Sequence, residues 1–237
     1  ETVVAEAGAM MYKSTGIAME SVFGDGSQKN KGFMGALAGA GKRLLTGESL
    51  FMTAFTHQGQ GKAHAAFAAP FPGTIIAVHL PEVDGELICQ KDSFLVAAKG
   101  VSIGIALQKK IMTGLFGGEG FIMQRLEGDG WCFIHAGGTL VQRELAAGEE
   151  IHVDTGCVVA YTKTVEFEIE RAGNVKSMIF GGEGVFFAKL RGPGKIWMQS
   201  MPFSRLAGRI MANLPVTGSG QGEGSVLGPL GSIIRGN

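Results

Sequence analysis

A repeated glycine-rich string constrains the fold of this chain more than any other feature. The residues Phe-Gly-Gly-Glu-Gly stand at positions 116–120 and again at 180–184, an offset of 64 (180 − 116 = 64). The match continues without a gap as far as Phe133 and Trp197, and a weaker third copy begins at positions 47–48. Self-similarity of this kind is typical of a fold built from copies of one supersecondary unit.

A second shared block precedes the first in each copy. Residues 85–97 and 148–160 align at an offset of 63 (148 − 85 = 63), and residues 1–12 match the same block at an offset of 148 (149 − 1 = 148). Two blocks that recur three times in one order favour internal duplication over chance similarity among many glycines. We predict a single β-domain over residues 1–203, with a pseudo-threefold arrangement of copies at about 1–72, 73–143 and 144–203. Because Glu1 falls inside the block, we also expect a further strand upstream.

Each copy has the pattern of β-structure. Residues 165–170 alternate between apolar and charged side chains, which is the period of a half-buried strand. The 39 glycines are more than twice the usual ~7% share, and they predict many turns. The glycines at 128–130 and 192–194 are interpreted as hairpin turns. Short strands with regular turns predict an all-β sandwich.

Two segments depart from this pattern. Residues 27–46 carry four basic residues around a glycine-rich apolar run, and they predict a short helix or a loop inserted in the first copy. Leu206, Ile210 and Leu214 recur at a spacing of four, which predicts a short C-terminal helix. With the Gly-rich tail that follows, this helix makes residues 204–237 a segment separate from the β-domain.

Composition excludes several classes of function. The formal net charge is zero, which predicts no nucleic-acid binding unless a few basic residues share one face: Lys29, Lys31, Lys42, Arg43 and Lys62. The most apolar stretch, residues 63–80, is broken by two histidines and two prolines, so no transmembrane segment is predicted. No signal peptide is expected either. Three widely spaced cysteines indicate neither a disulfide framework nor a zinc site, and they favour reduced thiols in the cytoplasm.

Motifs for catalysis are weak throughout the chain. The run at 39–42 resembles a phosphate loop, but Ala36 replaces its first glycine and Arg43 its Ser/Thr. His57 and His64 could converge on paired strands across a turn, with Glu48 nearby as an oxygen ligand, or they could be isolated sheet and turn residues, which we favour. The two tryptophans are expected to pack in sheet positions.

Three glutamates occupy the same place in the three copies: Glu48, Glu119 and Glu183. They could mark a repeated binding site. A structural role is the favoured interpretation, since carboxylates often accept backbone N–H groups in glycine turns. The sequence therefore predicts no catalytic residue, no cofactor and no metal.

With these motifs in view, the chain resembles the altered-inheritance-of-mitochondria 24 family. The resemblance lies in the segments 1–10, 47–51 and 115–120, and it extends from Glu1 to about Leu214. It implies a TRAP-like β-fold, a β-sandwich of the double-stranded β-helix type similar to the tryptophan RNA-binding attenuation protein (TRAP), and a multimeric assembly. It supplies no catalytic residues, and the neutral charge gives no support for RNA binding.

The leading functional hypothesis is a non-enzymatic, oligomeric β-scaffold that binds a protein, membrane-associated or small-molecule partner. The alternatives are a small-molecule binder with pockets between copies or subunits, and an enzyme without a recognisable motif. We expect a homo-oligomer, a trimer or larger ring, because the edges of repeated sheets need covering. A monomer that caps its own edges is the other possibility. The expected contact residues are Met10, Met11, Phe33, Met34, Leu206 and Ile210.

Overall fold

A computed structural model of the chain describes residues 1–23, 51–109, 121–171 and 186–214. These ranges contain strands and one α-helix, α1 (Phe203–Ala212), which confirms the all-β prediction and the short C-terminal helix. The strands are β1 (Thr2–Glu6), β2 (Met10–Lys13), β3 (Ile17–Phe23), β4 (Phe51–His57), β5 (Ala65–Phe67), β6 (Gly73–His79), β7 (Glu86–Gln90), β8 (Phe94–Ala98), β9 (Ser102–Lys109), β10 (Phe121–Glu127), β11 (Trp131–Gly137), β12 (Leu140–Leu145), β13 (Glu150–Asp154), β14 (Val158–Thr162), β15 (Glu166–Arg171), β16 (Phe186–Arg191) and β17 (Gly194–Gln199).

The strands form four sheets in which all recorded pairs are antiparallel. The first sheet has the order β3-β4-β1-β8-β11-β6, and the second has the order β12-β17-β14-β7-β10-β9. The third sheet is β13-β16-β15, and the fourth is the pair β2-β5.

One pairing scheme recurs three times along the chain. Fifteen strands fall into three groups of five, which we call the first unit (β1–β5), the second unit (β7–β11) and the third unit (β13–β17). In each unit the first strand pairs with the fourth, the fourth with the third, and the second with the fifth. The remaining strands, β6 and β12, each pair with the fifth strand of the unit that follows. Consecutive units share sheets, because β1 pairs with β8 and β7 pairs with β14.

The hairpins expected at residues 128–130 and 192–194 are wrong. β10 and β11 belong to different sheets, and so do β16 and β17. Both edges of β10 are already occupied by β7 and β9, so the chain must cross to the other sheet after it. Gly128 is needed for close packing at this crossing: at φ +148°, a Cβ there would lie 2.9 Å from the carbonyl oxygen of Gly100.

Three hydrophobic clusters hold the sheets in a layered, sandwich-like arrangement. Leu87, Leu126 and Ile134 lie in the cluster between the first and second sheets. A second cluster joins the second sheet to the third, and a third cluster joins the first sheet to the fourth. Both faces of the two six-stranded sheets are therefore partly covered.

Candidate interaction surface

Most of the predicted site and contact residues lie outside the described ranges. This applies to the three equivalent glutamates, Glu48, Glu119 and Glu183, to two expected contact residues, Phe33 and Met34, and to four of the five basic residues, Lys29, Lys31, Lys42 and Arg43. Of the basic set, only Lys62 is described, and it is exposed.

His57 and His64 do not lie on paired strands. His57 ends β4, which pairs with β1 and β3, whereas His64 precedes β5, which pairs with β2. Ser14 fixes the His64 backbone: its hydroxyl accepts the His64 N–H at 3.0 Å, and its own N–H donates to the His64 carbonyl at 2.8 Å. Within the described ranges, no group of three or more His, Cys, Asp and Glu residues is placed to hold a metal ion.

The three cysteines form no disulfide bond, and they differ in burial. Cys89 and Cys132 are buried in the cluster between the first two sheets, and Cys157 is half-buried. Burial raises the pKa of Cys132 to about 12. Burial also raises the pKa of Cys89 well above its usual value, and the neighbouring Cys132 and Glu6 add to this shift. Both buried thiols are therefore protonated and unreactive at neutral pH.

A buried amide, which the sequence does not reveal, joins the second and third units. Gln199 lies on β17, where its Oε1 accepts the Gly137 N–H at 2.7 Å and its Nε2 donates to the Gly156 carbonyl at 2.8 Å. All three residues are buried. The amide thus satisfies two backbone groups that would otherwise have no access to water.

His135, one of five histidines that look alike in the sequence, is buried on β11. Its ring meets the Phe71 ring edge-on, with the ring centroids 4.5 Å apart. The Phe71 ring in turn packs against Phe203 at the start of α1, with centroids 5.4 Å apart. Neither ring nitrogen reaches a hydrogen-bond partner with good geometry among the described residues. Burial lowers the pKa of His135, and the backbone of Phe71 offsets only part of this shift.

The expected contact residues on β2 and α1 are at the surface. Met11 and Tyr12 on β2 are 63% and 55% exposed, and Met10 is also exposed. No residue of α1 is buried; Leu206 is half-buried and Ile210 is exposed. α1 is also basic on its polar side, where Arg205 lies 3.7 Å from Asp154.

The third exposed apolar area lies on the face of the first sheet that is formed by β6 and β11. Ile75 and Trp131 are each 47% exposed, and the Trp131 ring stacks on His79 at 4.8 Å. Trp197, by contrast, is buried on β17. Both tryptophans therefore occupy strands as predicted, but only Trp131 is available at the surface.

The family model described as Mitochondrial biogenesis AIM24 matches residues 1–201. The chain belongs to this family. The match covers the three units and both intervening strands, and it agrees with the resemblance found in the sequence motifs.

Two proteins similar to this AIM24 chain come from Streptococcus pyogenes. An uncharacterised protein of serotype M6 is 30% identical over 219 residues, which are 91% of this chain and 84% of that protein. A crystal structure of a Streptococcus pyogenes protein, 23% identical, has a TM-score of 0.70 and covers 90% of this chain and 89% of its own. The second comparison shows that the fold is shared.

Charged side chains lie on other edge strands of this AIM24 chain. On β15, the exposed Glu166 and Glu170 face basic residues of β16, with Arg191 3.7 Å from Glu166 and Lys189 3.6 Å from Glu170. The neighbouring Glu150 and Glu170 raise the pKa of Lys189. In the described ranges no helix has the length and apolar character needed to cross a membrane.

Proposed function

We propose that the chain is a non-enzymatic β-scaffold that assembles into homo-oligomers and presents its remaining surface to a partner. One observation carries this proposal. Among the described residues eleven large apolar side chains are exposed, and nine of them fall in three places: β2, α1 with the residues just after it, and the β6–β11 face. Isolated apolar residues are normal on protein surfaces, whereas grouped ones mark interaction sites.

The burial of three reactive side chains, Cys89, Cys132 and His135, supports a non-enzymatic role. Cys89 and Cys132 are buried among apolar residues, where burial holds their thiols in the protonated form. His135 is buried, and its ring packs against that of Phe71. Side chains in such positions serve packing, because a catalytic group must reach its substrate.

The recurring pairing scheme supports a pseudo-threefold, TRAP-like arrangement of the units. Each unit contributes its first, third and fourth strands to one sheet and its second and fifth strands to another. A repeated unit that shares sheets with its neighbours is well suited to display surfaces at regular intervals. Three cysteines without a disulfide bond favour a reducing compartment, and we propose the cytoplasm on that ground.

Light scattering coupled to size-exclusion chromatography tests the proposal at micromolar protein concentration. We expect a mass that is a multiple of the 24.8 kDa chain mass, consistent with a trimer or larger ring or with another closed assembly. Because the proposed contacts are apolar, the mass should not fall when the salt concentration rises to 0.5 M. A mass of 24.8 kDa at all concentrations would contradict the proposal.

A further inference from the structure

β6 is the last strand of the first sheet, and it has one free edge. On its paired side it matches β11 residue for residue, from His79 opposite Trp131 to Gly73 opposite Gly137, with no shift of register. No described strand pairs with its other side. A regularly paired strand with one free edge presents a row of unpaired N–H and C=O groups to another chain.

The described part of the chain contains eight edge strands, and seven of them carry a feature that discourages pairing with another chain. β3, β12, β13 and β15 contain charged residues, β9 has a register shift in its pairing with β10, and β2 and β5 are only four and three residues long. β6 has seven residues, Gly-Thr-Ile-Ile-Ala-Val-His, with no Asp, Glu, Lys, Arg or Pro. Among these edges it is therefore the one without protection by charge, irregularity or shortness.

The outward face of β6 is apolar as well. Ile76 and Val78 point to the core, so Ile75, Ala77 and His79 lie on the opposite side. Ile75 and Ala77 are exposed, and the stacked pair of His79 and Trp131 extends the apolar area onto β11. The free edge and the apolar face therefore belong to one continuous surface.

We propose that β6 pairs antiparallel with β6 of a second copy of this chain, about a two-fold axis at Ile76, so that the first sheet continues from one copy into the next. This inference rests on the proposed oligomeric scaffold and specifies one of its contacts. Pairing about Ile76 sets Ile75 opposite Ala77, Thr74 opposite Val78 and Gly73 opposite His79.

A second copy is the occupant that this strand fits best. The proposed register brings no charge against a like charge. It sets the apolar Ile75 opposite Ala77, and it sets Gly73, which has no side chain, opposite the ring of His79. The edge is thus self-complementary, as an isologous two-fold interface requires. A partner that recognises charge would find none on β6. The contact requires the oligomer to contain an even number of copies.

The substitution Ile75→Lys tests the contact without touching the core, because the Ile75 side chain points outward. It places two ammonium groups in one two-fold interface, and we expect the mass of the oligomer to halve. The matched control is Val141→Lys on the edge strand β12, where the side chain is 44% exposed. The control should leave the mass unchanged. Circular dichroism and urea unfolding establish that both variants are folded.

The double variant I75K/A77E provides a rescue. Across the two-fold axis the new carboxylate at 77 faces the new ammonium at 75 of the partner, so the oligomer should form again. Unlike that of the native chain, its mass should fall as salt is raised, since exposed ion pairs are screened.

The outcomes separate this inference from the scaffold proposal. If the native chain is an oligomer and I75K keeps the native mass, or if its copy number is odd, the β6 contact is wrong while the scaffold stands. Equal dissociation of I75K and V141K also rejects the β6 contact. A native mass of 24.8 kDa rejects both proposals.

Discussion

Replacing Gln199 with methionine should destabilise the domain strongly, although the two side chains have similar volume. The Gln199 amide accepts the Gly137 N–H at 2.7 Å and donates to the Gly156 carbonyl at 2.8 Å. Q199M removes both polar atoms of the amide, so the Gly137 N–H and the Gly156 carbonyl are left buried without these hydrogen bonds. Each such group costs about 1–3 kcal/mol. Burial of the apolar methionine side chain is more favourable than burial of the amide, and this offsets part of the loss. We therefore expect the free energy of unfolding to fall by about 3 kcal/mol.

Urea unfolding and thermal melting measure the effect. For a chain of this size about 3 kcal/mol corresponds to a fall in Tm of about 6–12 °C. The matched control is Q142M on β12, where the glutamine is exposed; we expect its free energy of unfolding to stay within about 0.5 kcal/mol of the native value. If the free energy of unfolding of Q199M also stays within this margin, the Gln199 amide does not stabilise the contact between the second and third units. The reasoning from unsatisfied groups would then be wrong.

Two further predictions concern titratable groups. The pKa of His135 is lowered in the folded state by burial. As pH falls below the ordinary histidine value of about 6.5, the unfolded chain therefore binds a proton at His135 before the folded chain does. The free energy of unfolding consequently decreases as pH falls through this range. The free energy of unfolding, measured at pH 7.5, 6.5 and 5.5, should therefore decline less steeply with falling pH in H135F than in the native chain, whatever the absolute stability of the variant. Equal slopes would show that His135 is not the titrating group. Alkylation of the native protein by iodoacetamide at pH 8 should modify Cys157 before Cys89 and Cys132, because burial keeps the latter two protonated and inaccessible. Mass spectrometry after proteolysis identifies the labelled thiols, and early labelling of Cys89 or Cys132 would contradict the burial argument.

Local pattern was sufficient to predict individual strands and the helix. The alternation at 165–170 corresponds to β15, and the spacing of Leu206 and Ile210 corresponds to α1. Periodicity is set by neighbouring residues along the chain, so it can be recognised without knowing which distant residues pack on the element.

Strand pairing could not be predicted in the same way. The glycines at 128–130 indicate a turn, but whether β11 returns beside β10 depends on the occupation of both β10 edges by β7 and β9. The same limit applies to His57 and His64, whose strands take different partners. His135 and Gln199 acquire their roles through contacts with Phe71, Gly137 and Gly156, which no local pattern indicates.

The sharing of sheets between consecutive units has a consequence for how the domain forms. Val3 on β1 pairs with Ala98 on β8, which is 95 positions later in the chain (98 − 3 = 95), and β7 likewise depends on β14. Neither six-stranded sheet is complete until strands of two units have met, so no unit can melt alone without breaking its neighbour's sheet. Pairing over such distances gives a high contact order, which slows folding, and it couples the units into a single cooperative transition.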